Sequence, residues 1–257
     1  MDEKKEGKLL MPHFFISTKD VNGQYIKVSD KENFHHLVRV LRVKIGETLL
    51  LVDENQTLYE TVVQEISSSS ITTKVVQTRK SNHKLDLQLY LVQSVLKTDA
   101  QNLVIQKATE LGVKGVVPLI TDNSTIKQTV VDAKIDKWQK IANEAVKQCE
   151  RVDFLTVFPR MTFTQFLDSS DYDVKIACVE RSQDMTLKAC LQSLKLQTND
   201  KIAVLIGPEG GFSAKELTLL EQSKDVYKVS LGKLILRAET AVIGALSNII
   251  YELENDC

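Results

Sequence analysis

The sequence predicts an α/β protein in which a small β-barrel precedes a layer of alternating strands and helices. Short β-branched runs separated by turn signals fill residues 13–78, which is typical of strands. From residue 84 to residue 257 strand patterns alternate with helical patterns. Such alternation is typical of a mostly parallel sheet covered by helices.

Size and charge limit the class of protein. The chain has 257 residues, 43% of them hydrophobic, which is enough to bury one large core or two smaller ones. Its formal net charge is only −1, so bulk charge does not indicate a polyanionic partner. Any site for nucleic acid must therefore be a local patch of basic residues.

The cysteines and histidines form no pattern typical of a metal centre. The four cysteines are widely spaced without a C-x-x-C pair, and the four histidines add no ligand spacing to them. We therefore expect no bound metal. Neither a signal peptide nor a run long enough to span a bilayer is visible, so a reduced, cytoplasmic protein is the simplest expectation.

The opening residues, 1–12, contain the charged stretch "MDEKKEGKLL" without an apolar period. They are expected to form a disordered extension. Because "MPHFF" follows at once, Met11 is a candidate for the native start.

Residues 13–78 are predicted to form the barrel from "FFIS", "QYIKV", "ETLLLVD", "TLYETVVQE" and "SITTKVVQT". One helical insertion, "KENFHHLVRVLRV", lies between the second and third strands. A helix would place Leu37 and Leu41 on one face and Arg39 and Arg42 on another. Any solvated helix shows the same pattern, so the arginines alone do not establish a binding surface.

The polar stretch "TRKSNHK", from Thr78 to Lys84, is predicted to be the linker to the second domain. A buried strand "LDLQLYLVQSV" follows, then a helix "TDAQNLVIQKATELG" that Asp99 could cap and Gly112 could end. The strand "VKGVVPLI" precedes a helix with an apolar face around Trp138.

The remaining elements repeat the alternation. Strands "LTVF" and "KIACV" precede a helix around Leu187, Leu191 and Leu194. The strand "KIAVLI", a glycine loop, the helix "SAKELTLLEQ", the strand "VYKVSL", a second loop and the helix "ETAVIGALSNIIYEL" complete the chain. Ligands of parallel sheets bind beyond the carboxyl ends of the strands, where both loops are predicted to lie.

The first loop, "IGPEGGFSAKE", has a prescribed shape. Pro208 fixes its own φ, while the glycines on either side of it permit backbone conformations that a Cβ would block. Ser213 followed by Glu216 is a capping box that begins the next helix. A tight connection without any ligand would also explain this loop, so the glycines leave both interpretations open.

Familiar nucleotide sites are excluded by spacing. The sequence contains no G-x-x-x-x-G-K-[ST], and "GPEGG" lacks the spacing of G-x-G-x-x-G. The second loop adds Arg237, Glu239 and Thr240, and three polar residues at a helix start suggest a polar site. Alternatively, Glu239 only stabilises the N-terminus of the helix and pairs with Arg237.

Together the two loops resemble the RsmE family of ribosomal RNA methyltransferases, which belong to the SPOUT class. "IGPEGG" and "LGKLILRAETA" agree with the family signatures in order and spacing. Further similarities spread over nearly the whole chain, in "HHLVRVLR", "QKATELGV" and "QCER".

This resemblance implies a PUA-like N-terminal domain that binds RNA and a C-terminal domain with a trefoil knot. It also implies a homodimer that binds S-adenosylmethionine and methylates N3 of a uridine in 16S rRNA of the small ribosomal subunit, near the decoding centre. A knot is an exception to the rule that chains do not thread their own loops.

The resemblance further implies a cofactor site in which backbone groups and apolar side chains surround the adenosine. Small residues allow the main chain to approach the ligand closely. Plain core packing is the alternative for the leucines, and Ile235 is the residue most expected to belong to the core. The implied cofactor-binding residues are Leu119, Val179, Ile206, Gly207, Pro208, Gly210, Gly211, Leu231, Gly232, Leu234, Leu236, Thr240 and Ala241.

Arg237 and Glu239 are the candidate catalytic residues. Uridine N3 carries a proton, which must be removed or whose loss must be favoured by positive charge near O2 and O4. Arg237 is expected to bind phosphate or polarise the base. Glu239 could act as a base only if it is buried enough to hold a proton; otherwise it orients Arg237. Alignment of the reacting atoms alone could supply most of the rate.

RNA contacts are expected from basic residues of both domains, although Lys97 could equally be an ordinary surface lysine. Two other functions stay open: a non-catalytic RNA-binding protein that kept the knot, and a SPOUT enzyme that methylates ribose 2′-hydroxyls of another RNA. The candidate RNA-binding residues are His35, Arg39, Arg42, Lys44, Lys97 and Arg151.

Overall fold

The computed structural model describes residues 13–80, 85–149, 151–180, 185–197 and 199–254. The predicted extension, residues 1–12, and most of the predicted linker lie outside the described residues. The chain forms two compact units. The first contains the described residues up to 80 together with the segment 147–153, and the second contains the others. Sequence analysis did not foresee that this later segment belongs to the first unit.

The first unit is built on a six-stranded sheet with the order β1-β4-β5-β6-β3-β2. Strand β1 pairs with β4 in parallel, and the other neighbours are antiparallel. It forms a half-barrel, and the five strand runs predicted from sequence are all present. The strands are β1 His13–Phe15, β2 Val21–Asn22, β3 Tyr25–Val28, β4 Thr48–Val52, β5 Thr57–Ile66 and β6 Ile71–Lys80.

The predicted start of the linker at Thr78 was wrong, because β6 continues to Lys80. The strand pairing persists to the partners Thr57 and Lys80. The Lys80 ammonium also donates to the Asn55 carbonyl at 2.8 Å, which ties the strand end to the β4–β5 turn. Backbone pairing thus overrides the polar composition of this stretch.

The helical insertion is shorter than predicted and contains a π-helical turn. Helix α1, Lys31–His35, begins at Asp30, whose carboxylate accepts from the Asn33 amide, and it continues as a π turn over His36–Val40. The Leu41 amide donates to the His36 carbonyl at 3.0 Å, which is an i to i−5 bond.

The prediction that Leu37 and Leu41 share one helical face is wrong, because a π turn separates them. Leu37 is fully buried beneath the sheet, whereas Leu41 is 44% exposed. The next core residue after Leu37 is Val43, which is buried after the turn and whose amide donates to the Leu37 carbonyl at 3.0 Å. Arg42 has a φ of 55°, in the left-handed region, and it ends the turn.

Over the described residues, the second unit contains a sheet of seven strands. Six of them follow the order β10-β8-β7-β12-β11-β13, and the seventh, β9, pairs with β8. All of these pairs are parallel, as the alternation of elements predicted. The strands are β7 Gln88–Ser94, β8 Gly115–Ile120, β9 Thr156–Val157, β10 Met161–Thr162, β11 Val174–Cys178, β12 Lys201–Ile206 and β13 Val226–Val229.

Helices cover both faces of this sheet, and successive side chains of each strand point to opposite faces. In β12, Val204 packs with α2, α4 and α8, whereas Leu205 packs with α5 and α7. Trp138 lies in the first of these cores and is 1% exposed. The helices are α2 Thr98–Glu110, α3 Gln128–Asp132, α4 Ile135–Gln148, α5 Phe163–Asp168, α6 Leu187–Ser193, α7 Ala214–Gln222 and α8 Ala238–Leu253.

Three details differ from the sequence analysis. Helix α2 starts after Lys97 as its N-cap and has no side-chain cap, so Asp99 lies in the first turn instead of capping it. Leu194 is the C-cap of α6 and not part of the helix. The short elements α3, α5 and β10 were not predicted. Gly112 follows the end of α2 with a φ of 82°, as expected of a C-terminal glycine.

The two signature loops leave the same edge of the sheet. Strands β12 and β13 flank β11, and each leads into a helix, α7 and α8 respectively. The trefoil knot that the resemblance implies stays a prediction. In the part of the chain that the structure describes, no helix combines the length and apolarity needed to cross a bilayer.

Replacement of the buried tryptophan tests the core of the second unit. Trp138→Ala is expected to lower the free energy of unfolding by about 3–5 kcal/mol, because it removes a large side chain and leaves a cavity. Urea unfolding followed by circular dichroism measures this change. Tyr251→Ala is the matched control, since Tyr251 is an aromatic residue with 84% exposure. Equal losses in both variants would contradict the described core.

Candidate functional site

A cavity of about 1220 Å³ lies beyond the carboxyl ends of β11, β12 and β13. This volume is somewhat larger than that of most small-molecule sites in proteins, which measure roughly 300–1,000 Å³. The cavity is lined by the two signature loops, by the residues that follow β11 and by the first turns of α2 and α8. The sequence placed both loops at this edge, and the structure joins them into one concave surface.

The first wall is the loop that follows β12. After Ile206 the chain makes a turn in which the Gly211 amide donates to the Pro208 carbonyl at 2.9 Å. Gly211 has a φ of 69°, a conformation that favours glycine. The predicted capping box is confirmed: the Ser213 hydroxyl accepts from the Glu216 amide, and the Glu216 carboxylate accepts from the Ser213 amide.

The second wall is the loop that follows β13. The Ser230 amide donates to the Met185 carbonyl at 2.9 Å, and the Ser230 hydroxyl lies 3.2 Å from the Gly232 amide. Gly232 has a φ of 131°, and a Cβ built on it would meet no protein atom within 4 Å. The loop therefore presents bare backbone to open space within the cavity.

Most of the predicted cofactor residues line this cavity, and two do not. Leu119 is fully buried in β8 among the side chains of α5 and α7, because β7 separates β8 from β12. Thr240 is exposed in the first turn of α8, outside the lining. The predicted residues that line the cavity are Val179, Ile206, Gly207, Pro208, Gly210, Gly211, Leu231, Gly232, Leu234, Leu236 and Ala241.

The expectation that Ile235 belongs to the core was wrong. Ile235 is 57% exposed and its neighbour Leu234 is 81% exposed, and both lie at the cavity. No strand or helix contains them, so the apolar run that reads like a buried segment is an exposed loop.

Charged groups surround the apolar walls. Arg237 is exposed as the N-cap of α8, and Glu239 lies partly exposed in its first turn. Within the described part of the chain these two side chains are not ion-paired, so the predicted pairing is absent. Lys97 at the start of α2 lines the same cavity. Sequence analysis missed further lining residues, namely Cys178, Glu180, Met185, Thr186, Glu209 and Lys233.

Position alone could have identified some of the missed residues. Cys178 ends β11, and Glu180 follows it within two residues. Residues beyond the carboxyl end of a parallel strand face the ligand edge of the sheet, but sequence analysis applied this rule only to the glycine loops.

Comparison with known proteins identifies the family. A family model described as an RNA methyltransferase domain matches residues 83–250, more than half of the chain. A model described as an RNA methyltransferase PUA domain matches residues 28–76. The chain is 31% identical over 257 residues to the ribosomal RNA small subunit methyltransferase E of Synechocystis, with 99% of this chain and 82% of the relative covered. The chain belongs to the RsmE family.

Other RsmE relatives and solved structures agree with this assignment. The Bacillus subtilis ribosomal RNA small subunit methyltransferase E is 29% identical over 228 residues, covering 87% of this chain and 89% of the relative. A Legionella pneumophila protein solved with bound SAM superposes with a TM-score of 0.82, at 26% identity and with 95% of this chain and 98% of that chain covered.

The fold of the RsmE chain is also that of the Neisseria gonorrhoeae ribosomal RNA small subunit methyltransferase E. That structure gives a TM-score of 0.80 at 23% identity and covers 96% of this chain and 100% of its own. Together with the family models, these likenesses establish a PUA-like half-barrel followed by an α/β domain of the SPOUT methyltransferase type.

The first unit of this RsmE chain exposes four of the candidate RNA-binding residues on or after its helical insertion. His35, Arg39, Arg42 and Lys44 are all exposed. Arg151 is different: it is 4% exposed, and its Nε donates to the Asp153 carboxylate at 3.0 Å. Because its charge is buried and paired within the first unit, the expectation that Arg151 contacts RNA is not supported by its position.

One thiol lies beside the RsmE cavity. Burial raises the pKa of Cys178 to about 12, with the neighbouring Cys190 as a second cause. Burial likewise raises the pKa of Cys190 to about 11. The residue Cys178 is partly exposed as a whole, but its sulfur is desolvated. Near neutral pH the thiol is therefore protonated and a poor nucleophile, which suits a wall beside a reactive ligand.

Alkylation tests the state of these thiols. At pH 8 iodoacetamide is expected to leave Cys178 and Cys190 unmodified in the folded protein, because the thiolate is the reactive form and both pKa values lie well above 8. Peptide mass spectrometry measures the labelling, and the urea-unfolded protein is the positive control. Rapid labelling of Cys178 in the folded protein at pH 8 would contradict its desolvation.

Proposed function

We propose that this protein transfers a methyl group from S-adenosylmethionine to N3 of a uridine in 16S rRNA of the small ribosomal subunit, near the decoding centre. The observation that carries the proposal is the single cavity built by both signature loops in a chain of the RsmE family. Its Bacillus subtilis and Synechocystis relatives are named as ribosomal RNA small subunit methyltransferases.

The cavity has the properties that the cofactor requires. Apolar Ile206, Leu231 and Leu236 offer surfaces to a flat adenine ring. The backbone at Gly232 borders open space, so peptide groups can approach a ligand without obstruction by a side chain. The Legionella relative binds SAM in the same fold. When bound, S-adenosylmethionine supplies an electrophilic methyl group on a sulfonium sulfur.

The cations around the cavity are suited to hold the target nucleotide. Lys97, Lys233 and Arg237 all line it, and Arg237 is exposed at the end of the second loop. A guanidinium can hold a phosphate with two parallel hydrogen bonds or place positive charge near O2 and O4 of uracil. Such charge favours loss of the proton from N3.

The carboxylate at this site has a smaller role in the proposal. Glu239 is partly exposed at the N-terminus of α8, where a negative charge is stabilised by the helix dipole. Water can accept the N3 proton once the base is polarised. We therefore assign most of the rate to alignment of N3 with the methyl carbon, which needs no buried base.

The first unit is proposed to hold the surrounding RNA. Four exposed residues on or just after the helical insertion, His35, Arg39, Arg42 and Lys44, form a local basic surface in a chain that is nearly neutral overall. Contacts of such side chains to phosphates supply affinity without sequence preference. The family model of a PUA domain covers this part of the chain.

We further propose a homodimer that acts in the cytoplasm, where ribosomal subunits are present. Exposed Leu234 and Ile235 on the second loop support association, because such apolar surface is costly to leave in water. Analytical ultracentrifugation that finds only monomer at micromolar concentration would exclude the dimer without affecting the proposed reaction.

Arg237→Ala is expected to reduce methyl transfer about 100- to 1,000-fold, because removal of one group that stabilises developing charge has effects of this size. Cofactor binding, measured by calorimetry, should stay unchanged. Transfer is measured by mass spectrometry of nucleosides from 16S rRNA of a strain that lacks the gene, after reaction with the purified protein.

Arg160→Ala is the control for this experiment, because Arg160 pairs with Asp132 and does not line the cavity. Loss of cofactor binding in Arg237→Ala would show that its role is wrongly assigned. A ribose 2′-O-methyl product, or no product from the parent protein, would contradict the proposed reaction itself.

The double variant Arg39→Ala/Arg42→Ala is expected to weaken rRNA binding and to lower the slope of log affinity against log salt by about 1.4–1.8, the contribution of two phosphate contacts. Filter binding across salt concentrations measures the slope. Lys19→Ala/Lys27→Ala is the matched control, since it removes two exposed cations of the same unit. Equal slopes in the two double variants would remove this surface from the proposal.

A further inference from the structure

The loop that follows β8, Thr121–Ser124, is hydrogen-bonded to the loop that follows β12, residues 207–213, here called the glycine loop. The sequence did not predict this contact. The Asn123 side-chain amide donates to the carbonyl oxygens of Gly210 and Gly211 at 3.3 and 3.0 Å. A Cβ built on Gly210 would lie 3.5 Å from the Asn123 Cβ, so the two segments are in direct contact. One amide group thus engages both glycine carbonyls.

Glu216 makes the second connection between these two loops. Its carboxylate accepts from the Ser213 amide at 2.8 Å, which completes the capping box, and also from the Asp122 amide at 2.9 Å. The second bond reaches another loop and has no place in a capping box. Glu216 is 3% exposed, so each oxygen has its own backbone donor in a site with little water.

A group of hydroxyls fixes the other side of the 121–124 loop. The Ser94 hydroxyl lies 2.7 Å from that of Thr121 and 3.0 Å from that of Ser124. Ser94 ends β7, which is the strand between β8 and β12. The 121–124 loop therefore crosses the end of β7, rests on Ser94 and contacts the glycine loop beyond it.

We propose that Asn123 and Glu216 are positioning residues that set the shape of the glycine loop for cofactor binding. This inference rests on the proposed function. Neither side chain lines the cavity, so both act through the backbone of Gly210, Gly211 and Ser213. Because the two glycine carbonyls are held by Asn123, the loop is ordered before a ligand arrives. A preordered loop binds its ligand more tightly, since less conformational entropy is lost.

Asn123→Asp is the decisive variant, because it keeps the size of the side chain and replaces the donor with an oxygen that repels both carbonyls. We expect the Kd for S-adenosylmethionine, measured by calorimetry on the full chain, to rise about 10-fold. The KM for the cofactor should rise similarly, while kcat at saturating cofactor and the KM for rRNA stay unchanged. Asn123→Gln, which retains the amide donor, should restore part of the affinity.

Hydrogen exchange supplies a measurement that does not depend on activity. Without cofactor, the backbone amides of residues 207–213 are expected to exchange faster in Asn123→Asp than in the parent. The thermal midpoint should change little, because Asn123 is exposed.

Glu216→Gln tests the second connection, because a glutamine offers one acceptor oxygen where two amides need a partner. Its matched control is Gln165→Ala in the capping box of α5, where Gln165 and Thr162 make the same reciprocal bonds outside the cavity. Gln165→Ala removes the box of α5 and frays that helix end, whereas Glu216→Gln can keep the bond to the Ser213 amide, as Gln165 does in α5, and loses the acceptor for the Asp122 amide. Only Glu216→Gln is expected to weaken cofactor binding about 10-fold.

Two results would overturn the inference: unchanged cofactor affinity and unchanged exchange in Asn123→Asp, or an equal loss of affinity in Gln165→Ala and Glu216→Gln. Failure of the proposed function has a different signature. The parent protein would then bind no S-adenosylmethionine, while faster exchange of residues 207–213 in Asn123→Asp would still show that the contact orders the loop.

Discussion

The site depends on the pairing of β12 between β7 and β11. In that register Ile206 lies opposite Gln93 on one side and Cys178 on the other, and Cys178 in turn lies opposite Val229. The neighbouring strands β12, β11 and β13 therefore end at the same level of the sheet. Each loop that follows starts from the same level, which is why two segments about twenty residues apart in the chain enclose one cavity. The two signature loops line the same cavity only because the sheet aligns the ends of the strands from which they start.

The chemistry of the cavity follows from the division between its apolar walls and its charged surroundings. Apolar side chains and bare backbone suit an uncharged ring, whereas Lys97 and Arg237 suit a polyanion approaching from solvent. The thiol of Cys178 adds no charge, since its pKa of about 12 keeps it protonated. In the proposed reaction the protein contributes binding, alignment and positive charge, and these can favour transfer to a weakly acidic nitrogen without a dedicated base.

Sequence patterns predicted the sheet and its loops well because they are local or nearly so. The capping box of Ser213 and Glu216 involves neighbours in the chain, and the longer strands of the second unit, such as β8 and β12, are apolar runs with clear ends. The errors have non-local causes. The π turn after α1 exposes Leu41, although helical periodicity places it beside Leu37. Arg151 resembles an exposed basic residue in sequence, but Asp153 and the surrounding unit bury it.

The sequence by itself determined the α/β class, the order of most elements, the two signature loops and the family resemblance. Tertiary structure decided which residues meet. Leu119 and Val179 both lie at or just beyond the ends of apolar strands, yet only Val179 lines the cavity, because strand order places β8 two positions away from β12. The contact of Asn123 with Gly210 and Gly211 spans nearly ninety residues of chain. Spacing rules describe neighbours along a strand or helix, whereas such contacts depend on how the sheet orders its strands.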